Sequence, residues 1–228
     1  MVGTLVNASA VVVGSVIGLV FKKALPEKYQ QIYFQAVGLF TLLLGIKMSL
    51  GISAPLLVVL SLVLGGLVGE SMKLDEKIEQ FGNWIKSKTS SKNDKFTEGL
   101  TTAFLLYCMG SMTIVGAIEE GFGYTSDLLL TKSIMDFFSS IMLASALGIG
   151  VLFSAVPLLL FQGGITLIVS LIGKDIPAEI ISEITVVAGI ILIGLGINLL
   201  EIKKLKIINL LPALIFICIF VWVKMQMN

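Results

Sequence analysis

Long stretches without a charged residue are the feature that most limits how this chain can fold. Four of them cover residues 4–21, 48–69, 99–118 and 137–173. A helix of about 17 to 22 residues is about 25 to 33 Å long, which matches the hydrocarbon core of a bilayer. Because 56% of the residues are hydrophobic and only 14% are charged, a water-soluble fold could not cover the apolar surface. The sequence therefore predicts an all-α integral membrane protein.

The hydrophobic pattern predicts about eight transmembrane helices. They lie at 3–21, 32–50, 54–71, 97–117, 133–154, 156–173, 181–200 and 207–224. Residues 133–173 require two crossings, because one helix of 41 residues would be about 60 Å long. We expect the break near Pro157, whose nitrogen has no hydrogen to donate to the helix ladder. Since no lysine precedes the apolar core of the first segment, that segment is expected to be a retained span and not a cleaved signal.

The lysines orient the predicted spans. With eight spans, twelve lysines fall on one side of the membrane and four on the other, whereas merging the fifth and sixth spans would give eleven and five. The positive-inside rule then places the lysine-rich loops in the cytoplasm and both termini outside. The chain has sixteen lysines but no arginine or histidine, which excludes histidine-based proton relays, histidine metal ligands and arginine clamps on phosphate.

The longest predicted loop, at 71–95, contains an amphipathic segment. Apolar side chains recur there at helical spacing, at Leu74, Ile78, Phe81 and Ile85, with Trp84 beside them. This pattern favours a short helix on the cytoplasmic lipid surface, and a solvated loop is the alternative. The polar residues 89–94 are the best candidate for a mobile connection.

Two parts of the chain repeat each other. Pro26, Gly38, Gly45 and Ile46 have the same mutual spacing as Pro177, Gly189, Gly196 and Ile197, at a constant offset of 151 residues. Spans 1–3 then correspond to spans 6–8, and a shift of five spans means that the second copy crosses the membrane in the opposite direction. We therefore divide one transmembrane domain, 1–228, into repeat A at about 1–72, a central part at about 73–154 and repeat B at about 155–228. Chance similarity between glycine-containing helices is the alternative.

Four short motifs are spread along the whole chain. They are GTLVNA at 3–8, LGIKM at 44–48, CMGSM at 108–112 followed by GAI at 116–118, and GLGINLL at 194–200. Together they resemble the YqgA/YdfK-type family of bacterial membrane proteins, known mainly as a domain of unknown function and often labelled as transporters. The resemblance implies a bacterial plasma membrane location and leaves the chemistry open. Ser111 stands where the family pattern would often have proline, which weakens the case for a helix break at that motif.

Polar residues at membrane depth are the candidate path for a substrate or an ion, because such residues are costly there and tend to face a cavity or a partner helix. The neutral candidates are Asn7, Gln35, Gln162 and Asn198, and interhelical hydrogen bonding is their alternative role. Lys47 and Asn198 occupy equivalent repeat positions, which makes them the first functional pair, although Lys47 could also snorkel to the outer interface.

Acidic residues gather on the predicted outer face. Asp136 lies about one turn inside the fifth predicted span, and the residues around it on that face are Glu119, Glu120, Asp127, Asp175, Glu179 and Glu183. An acidic mouth could concentrate cations and lead to Asp136, but solvated loop charge is the default interpretation of the other acids. Gly163 and Gly164, next to Gln162, could unwind a helix and expose backbone carbonyls to an ion.

Small residues recur four apart in three spans. The three stripes are Ala10, Gly14 and Gly18; Ser61, Gly65 and Gly69; and Ser140, Ala144 and Gly148. Such stripes predict close helix packing within the bundle or between protomers, including a homodimer through the Gly-rich faces.

These patterns favour a transporter or channel for a small solute or ion. The alternative is a non-transporting membrane scaffold or regulatory subunit. We see no phosphate-binding loop, metal-ligand cluster, activated nucleophile or pair of catalytic carboxylates, so the sequence predicts no enzyme, cofactor or metal site. The expected partners are membrane lipids and an unidentified small solute or ion, with no nucleic acid.

Overall fold

The computed structural model describes residues 1–21, 27–77, 79–80, 84, 95–109, 111–172 and 177–227. Regular structure in this part of the chain is helical throughout. The helices are α1 (Val2–Phe21), α2 (Glu27–Ser49), α3 (Pro55–Ser71), α4 (Phe96–Cys108), α5 (Ser111–Gly121), α6 (Asp127–Leu147), α7 (Gly150–Phe153), α8 (Ala155–Ile172), α9 (Ala178–Leu199), a 3-10 turn (Ile207–Leu210) and α10 (Ala213–Met227). Residues 74–77 and 79–80 are also helical, while Ile78, Phe81, Ile85 and 89–94 of the predicted surface segment lie outside the described residues.

Five helical segments of the described chain are long and apolar enough to cross a bilayer. They are Val2–Phe21, Asp127–Leu147, Gly150–Leu171, Ala178–Leu199 and Ile207–Met227. The pair α4 and α5 would make a sixth if the bent pair is one span, and Phe34–Ser49 and Pro55–Ser71 are shorter apolar helices. The predicted all-helical membrane class is confirmed, whereas the count of eight spans stays a prediction.

The main break between the fifth and sixth predicted spans lies at Gly148, and a smaller interruption at Ser154, three residues before Pro157, separates α7 from α8. Gly148 adopts a φ of 85°, a conformation that glycine tolerates without strain, and it ends α6. Pro157 lies in the first turn of α8, where its missing N–H is not needed for the helix ladder. Pro157 itself therefore does not break the helix, and the main break lies nine residues earlier than predicted.

The predicted fourth span is divided into two helices. α4 ends at Cys108 and α5 begins at Ser111, and the pair is bent by 62°. The Thr113 hydroxyl donates to the Tyr107 carbonyl at 2.6 Å, so it satisfies one of the carbonyls that the end of α4 leaves without an intrahelical partner. Because Ser111 stands where proline would often be, the sequence weakened the case for a helix break here. The chain nevertheless bends at this motif without a proline.

The described residues pack into two compact units. The first unit comprises Met1–Tyr33, Ile78–Cys108 and Met112–Asp175. The second comprises Phe34–Lys77, Met109–Ser111 and Ile176–Asn228. Each unit therefore contains helices from both predicted repeats.

In the first unit, α1 packs closely along α6. A methyl group on Gly14 would collide with the Phe137 carbonyl oxygen, and one on Gly18 with the Ile141 carbonyl oxygen. The same positions approach the Cβ atoms of Ser140 and Ala144, at 3.0 Å each. Two of the predicted small-residue stripes thus pack against each other within one chain.

In the second unit, α3 packs antiparallel to α10 and its preceding turn. A methyl group on Gly65 would collide with the backbone of Ala213, and one on Gly69 with the Asn209 carbonyl oxygen. The Glu70 carboxylate accepts hydrogen bonds from Lys206 Nζ and Asn209 Nδ2, at 2.6 Å each. The bond with Glu70 raises the pKa of the Lys206 ammonium. These contacts join the end of α3 to the segment between α9 and α10.

Helices α2 and α9 of the second unit touch at glycines, and the contacts occur in pairs. A Cβ on Gly45 would lie 2.6 Å from the Gly189 carbonyl oxygen, and one on Gly196 would lie 3.0 Å from the Gly38 carbonyl oxygen. Adding 151 to 45 gives 196, and subtracting 151 from 189 gives 38, so the first contact maps onto the second.

Further contacts between α2 and α9 are related by the same offset of 151 residues. A Cβ on Gly45 would lie 2.8 Å from the Ile193 backbone nitrogen, and one on Gly196 would lie 2.7 Å from Leu42 Cγ. Positions 45 and 196, and positions 42 and 193, each differ by 151. The two helices therefore use equivalent positions to approach each other.

Candidate functional site

A chain of hydrogen-bonded polar side chains runs through the first unit. Asn7 Nδ2 donates to Gln162 Oε1 at 3.0 Å, and Gln162 Nε2 donates to Thr4 Oγ1 at 3.0 Å. The Thr4 hydroxyl then donates to Glu120 Oε2 at 2.7 Å. All four side chains are buried, and every donor points towards Glu120. We call this set, Asn7, Gln162, Thr4 and Glu120, the polar chain.

Glu120 lies in a cradle of hydrogen-bond donors at the start of α1. Its Oε1 accepts from the Gly3 N–H at 2.6 Å and the Ser126 hydroxyl at 3.1 Å, and it lies 3.3 Å from the Met1 amine. Its Oε2 also faces the Thr4 N–H at 3.4 Å and the Thr166 hydroxyl at 3.5 Å. Because the first N–H groups of a helix have no intrahelical acceptor, the carboxylate caps α1 and complements its dipole.

The interpretation of the outer acidic residues as solvated loop charge is wrong for Glu120 and Glu183. Helix α5 continues to Gly121, so Glu120 belongs to a packed helix. Glu183, in the second unit, is also buried, and it accepts hydrogen bonds from the Ser53 and Ala54 N–H groups at 2.9 Å each, at the start of α3. Glu119 is partly exposed, Asp127 and Glu179 are exposed, and Asp175 lies outside the described residues.

We expect Glu120→Gln to destabilise the protein by about 2 kcal/mol, because the amide keeps one acceptor oxygen and loses charge-assisted hydrogen bonds. The free energy of unfolding of the detergent-solubilised protein measures this loss. Glu119→Gln is the matched control, since Glu119 is partly exposed, and it should change stability little. Equal losses of stability in Glu120→Gln and Glu119→Gln would contradict the set of hydrogen bonds described around Glu120.

A buried ion pair lies near the middle of α6. Lys132 and Asp136 are four residues apart on this helix, and the Lys132 ammonium contacts Asp136 Oδ2. Both residues are buried, at 5% and 6% exposure. Helix α6 begins at Asp127, so Asp136 is about 14 Å from its start along the axis. The helix therefore begins six residues before the predicted span start at 133, and Lys132, which we counted as an outer-loop cation, lies inside it.

Tyr107 lies beside this ion pair. The Lys132 ammonium lies 5.7 Å from the centroid of the Tyr107 ring, within cation–π range. The Ser140 hydroxyl donates to the Asp136 carbonyl at 2.6 Å, so the 2.8 Å contact between Tyr107 and Ser140 has the Tyr107 hydroxyl as donor. Asn7 of the polar chain lies on α1, and α1 packs along α6, which carries the ion pair. Asn7 Oδ1 is buried without a hydrogen-bond partner.

The predicted site residues of the second unit, Gln35, Lys47 and Asn198, are not part of the polar chain. Gln35 and Lys47 are exposed on α2, and Lys47 borders an open cleft of about 320 Å³ with Ser182 and Thr185. Asn198 Oδ1 accepts from the Leu205 N–H at 2.8 Å, and its amide donates to the Leu205 carbonyl at 2.9 Å. Asn198 thereby holds the turn that follows α9.

Gly163 and Gly164 lie inside an unbroken helix. Since α8 runs without interruption from Ala155 to Ile172, the predicted unwound stretch is absent from it. A Cβ on Gly163 would lie 3.3 Å from Met1 Cε and 3.7 Å from Thr4 Cγ2, so this glycine lies beside the polar chain.

A Cβ on Gly164 would meet nothing within 4 Å. Gly164→Ala should therefore stabilise the protein by about 0.5 to 1 kcal/mol through helix propensity alone. Thermal unfolding of the purified variant measures the gain. Gly163→Ala is the neighbouring control and should gain less, because its methyl group would press on Met1. A loss of stability in Gly164→Ala would show that the face of α8 at Gly164 is covered.

The structure thus joins Asn7 and Gln162 from the predicted set, and it buries Asp136 with Lys132 in the same unit. The contributors that sequence reasoning missed are Thr4, Tyr107, Glu120, Lys132 and Thr166. The spacing of Lys132 and Asp136, four apart beside an apolar run, is a sequence signal that could have revealed the pair. In the parts of the chain that the structure describes, no three or more Cys, Asp or Glu side chains are grouped so as to hold a metal ion.

Apolar helices that bury a polar chain and an ion pair define this molecule as a multi-pass helical membrane protein. The chain belongs to the family described as protein of unknown function DUF554, which matches residues 2–222. It is 37% identical over 219 residues to the uncharacterised membrane protein YdfK of Bacillus subtilis, covering 94% of this chain and 93% of that protein. It is 29% identical over 220 residues to the uncharacterised protein YqgA of Escherichia coli, covering 94% of each chain. No solved structure matches it.

Proposed function

We propose that this protein moves a small solute or ion across the bacterial plasma membrane, as a secondary transporter or a channel. The observation that carries this proposal is the polar chain together with the ion pair of Lys132 and Asp136, buried among apolar helices of the first unit. Ionisable and amide side chains inside such helices are costly, and they characteristically mark the paths of ions and substrates.

The paired contacts of α2 and α9 support an inverted repeat. When two helices are related by a two-fold axis in the membrane plane, each contact between them must occur twice with the partners exchanged. Gly45 with Gly189 and Gly38 with Gly196 meet this requirement at the offset of 151 found in the sequence. Inverted repeats allow a transporter to open to either side by exchanging the roles of its two copies.

An eight-span topology with both termini outside is part of the proposal. The five long helices, the bent pair of α4 and α5, and the two shorter apolar helices would together supply eight crossings. In the second unit, the contact of Glu70 with Lys206 joins the end of α3 to the segment after α9, and eight spans place these two on the same side. With Lys132 inside α6, the lysine count becomes twelve against three, which strengthens the positive-inside bias.

Labelling of introduced cysteines tests this topology. In a variant with Cys108 and Cys218 replaced by alanine, Lys28→Cys and Lys204→Cys should both react only with reagent that reaches the cytoplasm. Glu179→Cys, on an exposed position of the opposite predicted face, should react from outside intact cells. Labelling of positions 28 and 204 from different faces would contradict the inverted arrangement.

Flux into proteoliposomes tests the function itself. Purified protein should give uptake of at least one member of a panel of alkali cations, anions and small metabolites, above the rate of protein-free vesicles. The glycine faces on which the scaffold alternative depends, at Gly14, Gly18, Gly65 and Gly69, are already covered by helices of the same chain. No protein-dependent flux across the panel would nevertheless favour the scaffold.

A further inference from the structure

The turn between α2 and α3 has little packing of its own among the residues that the structure describes. All of residues 50–53 are exposed, and Ala54 is only partly buried. Ala54 is also the N-cap residue of α3, where alanine offers no side-chain acceptor to the free N–H groups of the first turn. Neither burial nor a local cap therefore holds this turn in place.

A buried carboxylate from α9 holds the turn instead. Glu183 Oε1 accepts hydrogen bonds from the Ser53 and Ala54 N–H groups at 2.9 Å each, and Glu183 is only 3% exposed. The other carboxylate oxygen, Oε2, is buried and has no hydrogen-bond partner in the described part of the chain. Glu120 differs, because both of its oxygens accept hydrogen bonds. Burying an oxygen without a donor is unfavourable, so closing the turn on Glu183 has a cost that the capping of α1 by Glu120 does not have.

The equivalent turn of repeat B is held from within its own copy. Asn198 Oδ1 accepts a hydrogen bond from the Leu205 N–H at 2.8 Å. These two positions correspond to Lys47 and Ala54 at the offset of 151 residues. A lysine ammonium donates hydrogen bonds but cannot accept one, so Lys47 cannot bind the Ala54 N–H as Asn198 binds that of Leu205. The turn of repeat A therefore depends on a side chain from repeat B.

We propose that Glu183 is a latch, and that the α2–α3 turn is a gate which moves away from α9 when the latch opens. Gly51 of this turn lines the cleft of about 320 Å³ that Lys47 and Ser182 also border, so movement of the turn changes the width of the cleft. This inference deepens the proposed function, because the turn lies on the predicted outer face and the cleft would be the entrance that the gate controls. Opening exchanges the two hydrogen bonds of Glu183 for bonds to water, and no covalent bond changes.

Hydrogen–deuterium exchange of the detergent-purified protein, followed by mass spectrometry, tests the latch without any transport. Glu183→Ala should raise the exchange rates of the Ser53 and Ala54 amides at least about tenfold, because both N–H groups lose their acceptor. The Leu205 amide is the internal control and should exchange at an unchanged rate, since its acceptor belongs to its own repeat. Glu179→Ala is the matched control on α9, because Glu179 is exposed, and it should leave all three amides unchanged.

Lys47→Asn separates a latch from simple packing. Asparagine at position 47 reproduces the arrangement of Asn198, so in the Glu183→Ala background it should restore most of the protection that the Ala54 amide has lost. Packing lost with the Glu183 side chain would not be restored by a substitution on α2. Glu183→Gln keeps one acceptor oxygen and should raise exchange less than Glu183→Ala does. It takes the place of that variant if the alanine protein does not fold.

The width of the cleft is measured by labelling of a cysteine at position 48. Met48 lines the cleft and is 7% exposed, so Met48→Cys, in a variant with Cys108 and Cys218 replaced by alanine, reports on access to it. Adding Glu183→Ala should raise the rate of its reaction with a membrane-impermeant methanethiosulfonate reagent at least about fivefold.

The outcomes separate the latch, the gate and transport. Equal exchange at Ser53 and Ala54 in the wild type, Glu183→Ala and Glu183→Gln overturns the latch. Protection that Lys47→Asn does not restore overturns the equivalence of the two turns, and unchanged labelling at position 48 overturns the gate. Faster exchange and labelling without flux in proteoliposomes would keep the gate and remove the proposed transport function. Flux with unchanged exchange would do the reverse.

Discussion

Lys132→Met should destabilise the protein by about 3 to 5 kcal/mol, since it leaves the Asp136 carboxylate buried without its partner. The free energy of unfolding in detergent measures this loss. Lys224→Met is the matched control because Lys224 is exposed in the last turn of α10, and it should have little effect. Similar behaviour of the two variants would contradict a charged, buried pair at positions 132 and 136.

The double variant separates the ion pair from simple packing. Asp136→Asn combined with Lys132→Met removes both charges and keeps side chains of similar volume, so it should recover most of the stability lost in Lys132→Met. If the double variant is as unstable as the sum of the two single variants, Lys132 and Asp136 do not interact. The recovery therefore measures the coupling of the pair directly.

The membrane class could be predicted because it depends on composition alone. Long uncharged runs fix helices across a bilayer whatever their neighbours are. Helix ends depend on local geometry that composition does not contain. Pro157 is harmless because it lies in a first turn, while Gly148 ends α6 through its positive φ. The bend between α4 and α5 occurs without proline, and Gly110 is the one helix-weakening residue that the sequence has there.

The candidate site could be predicted in part. Asn7, Gln162 and Asp136 were found because each is conspicuous in an apolar surrounding. Glu120 was missed because Gly3 and Thr166, which contribute to its cradle, are distant in sequence and meet it only after packing.

The position of Asp136 along its helix was misjudged for a different reason. Placing the start of the span at 133 put this carboxylate near the interface, and the six additional helical residues from Asp127 put it near the middle of α6. The same six residues brought Lys132 inside the helix and gave Asp136 its partner. A charge near a predicted helix end can thus change from a loop residue to a site residue when the boundary moves by two turns.

Leucine at Gly45 or at Gly196 should each destabilise the protein by about 3 kcal/mol, because either side chain would separate α2 from α9. A Cβ at these positions already lies 2.6 Å and 3.0 Å from a carbonyl oxygen of the facing helix. Gly194→Ala is the control on α9, since its Cβ would come no closer than 3.6 Å to Ile207, and it should be neutral or slightly stabilising. Thermal unfolding of the three variants gives the comparison. A two-fold relation between α2 and α9 requires comparable losses of stability in Gly45→Leu and Gly196→Leu. Two unrelated glycine-containing helices give no reason for comparable losses. A large loss at one position alone would therefore argue against the inverted repeat.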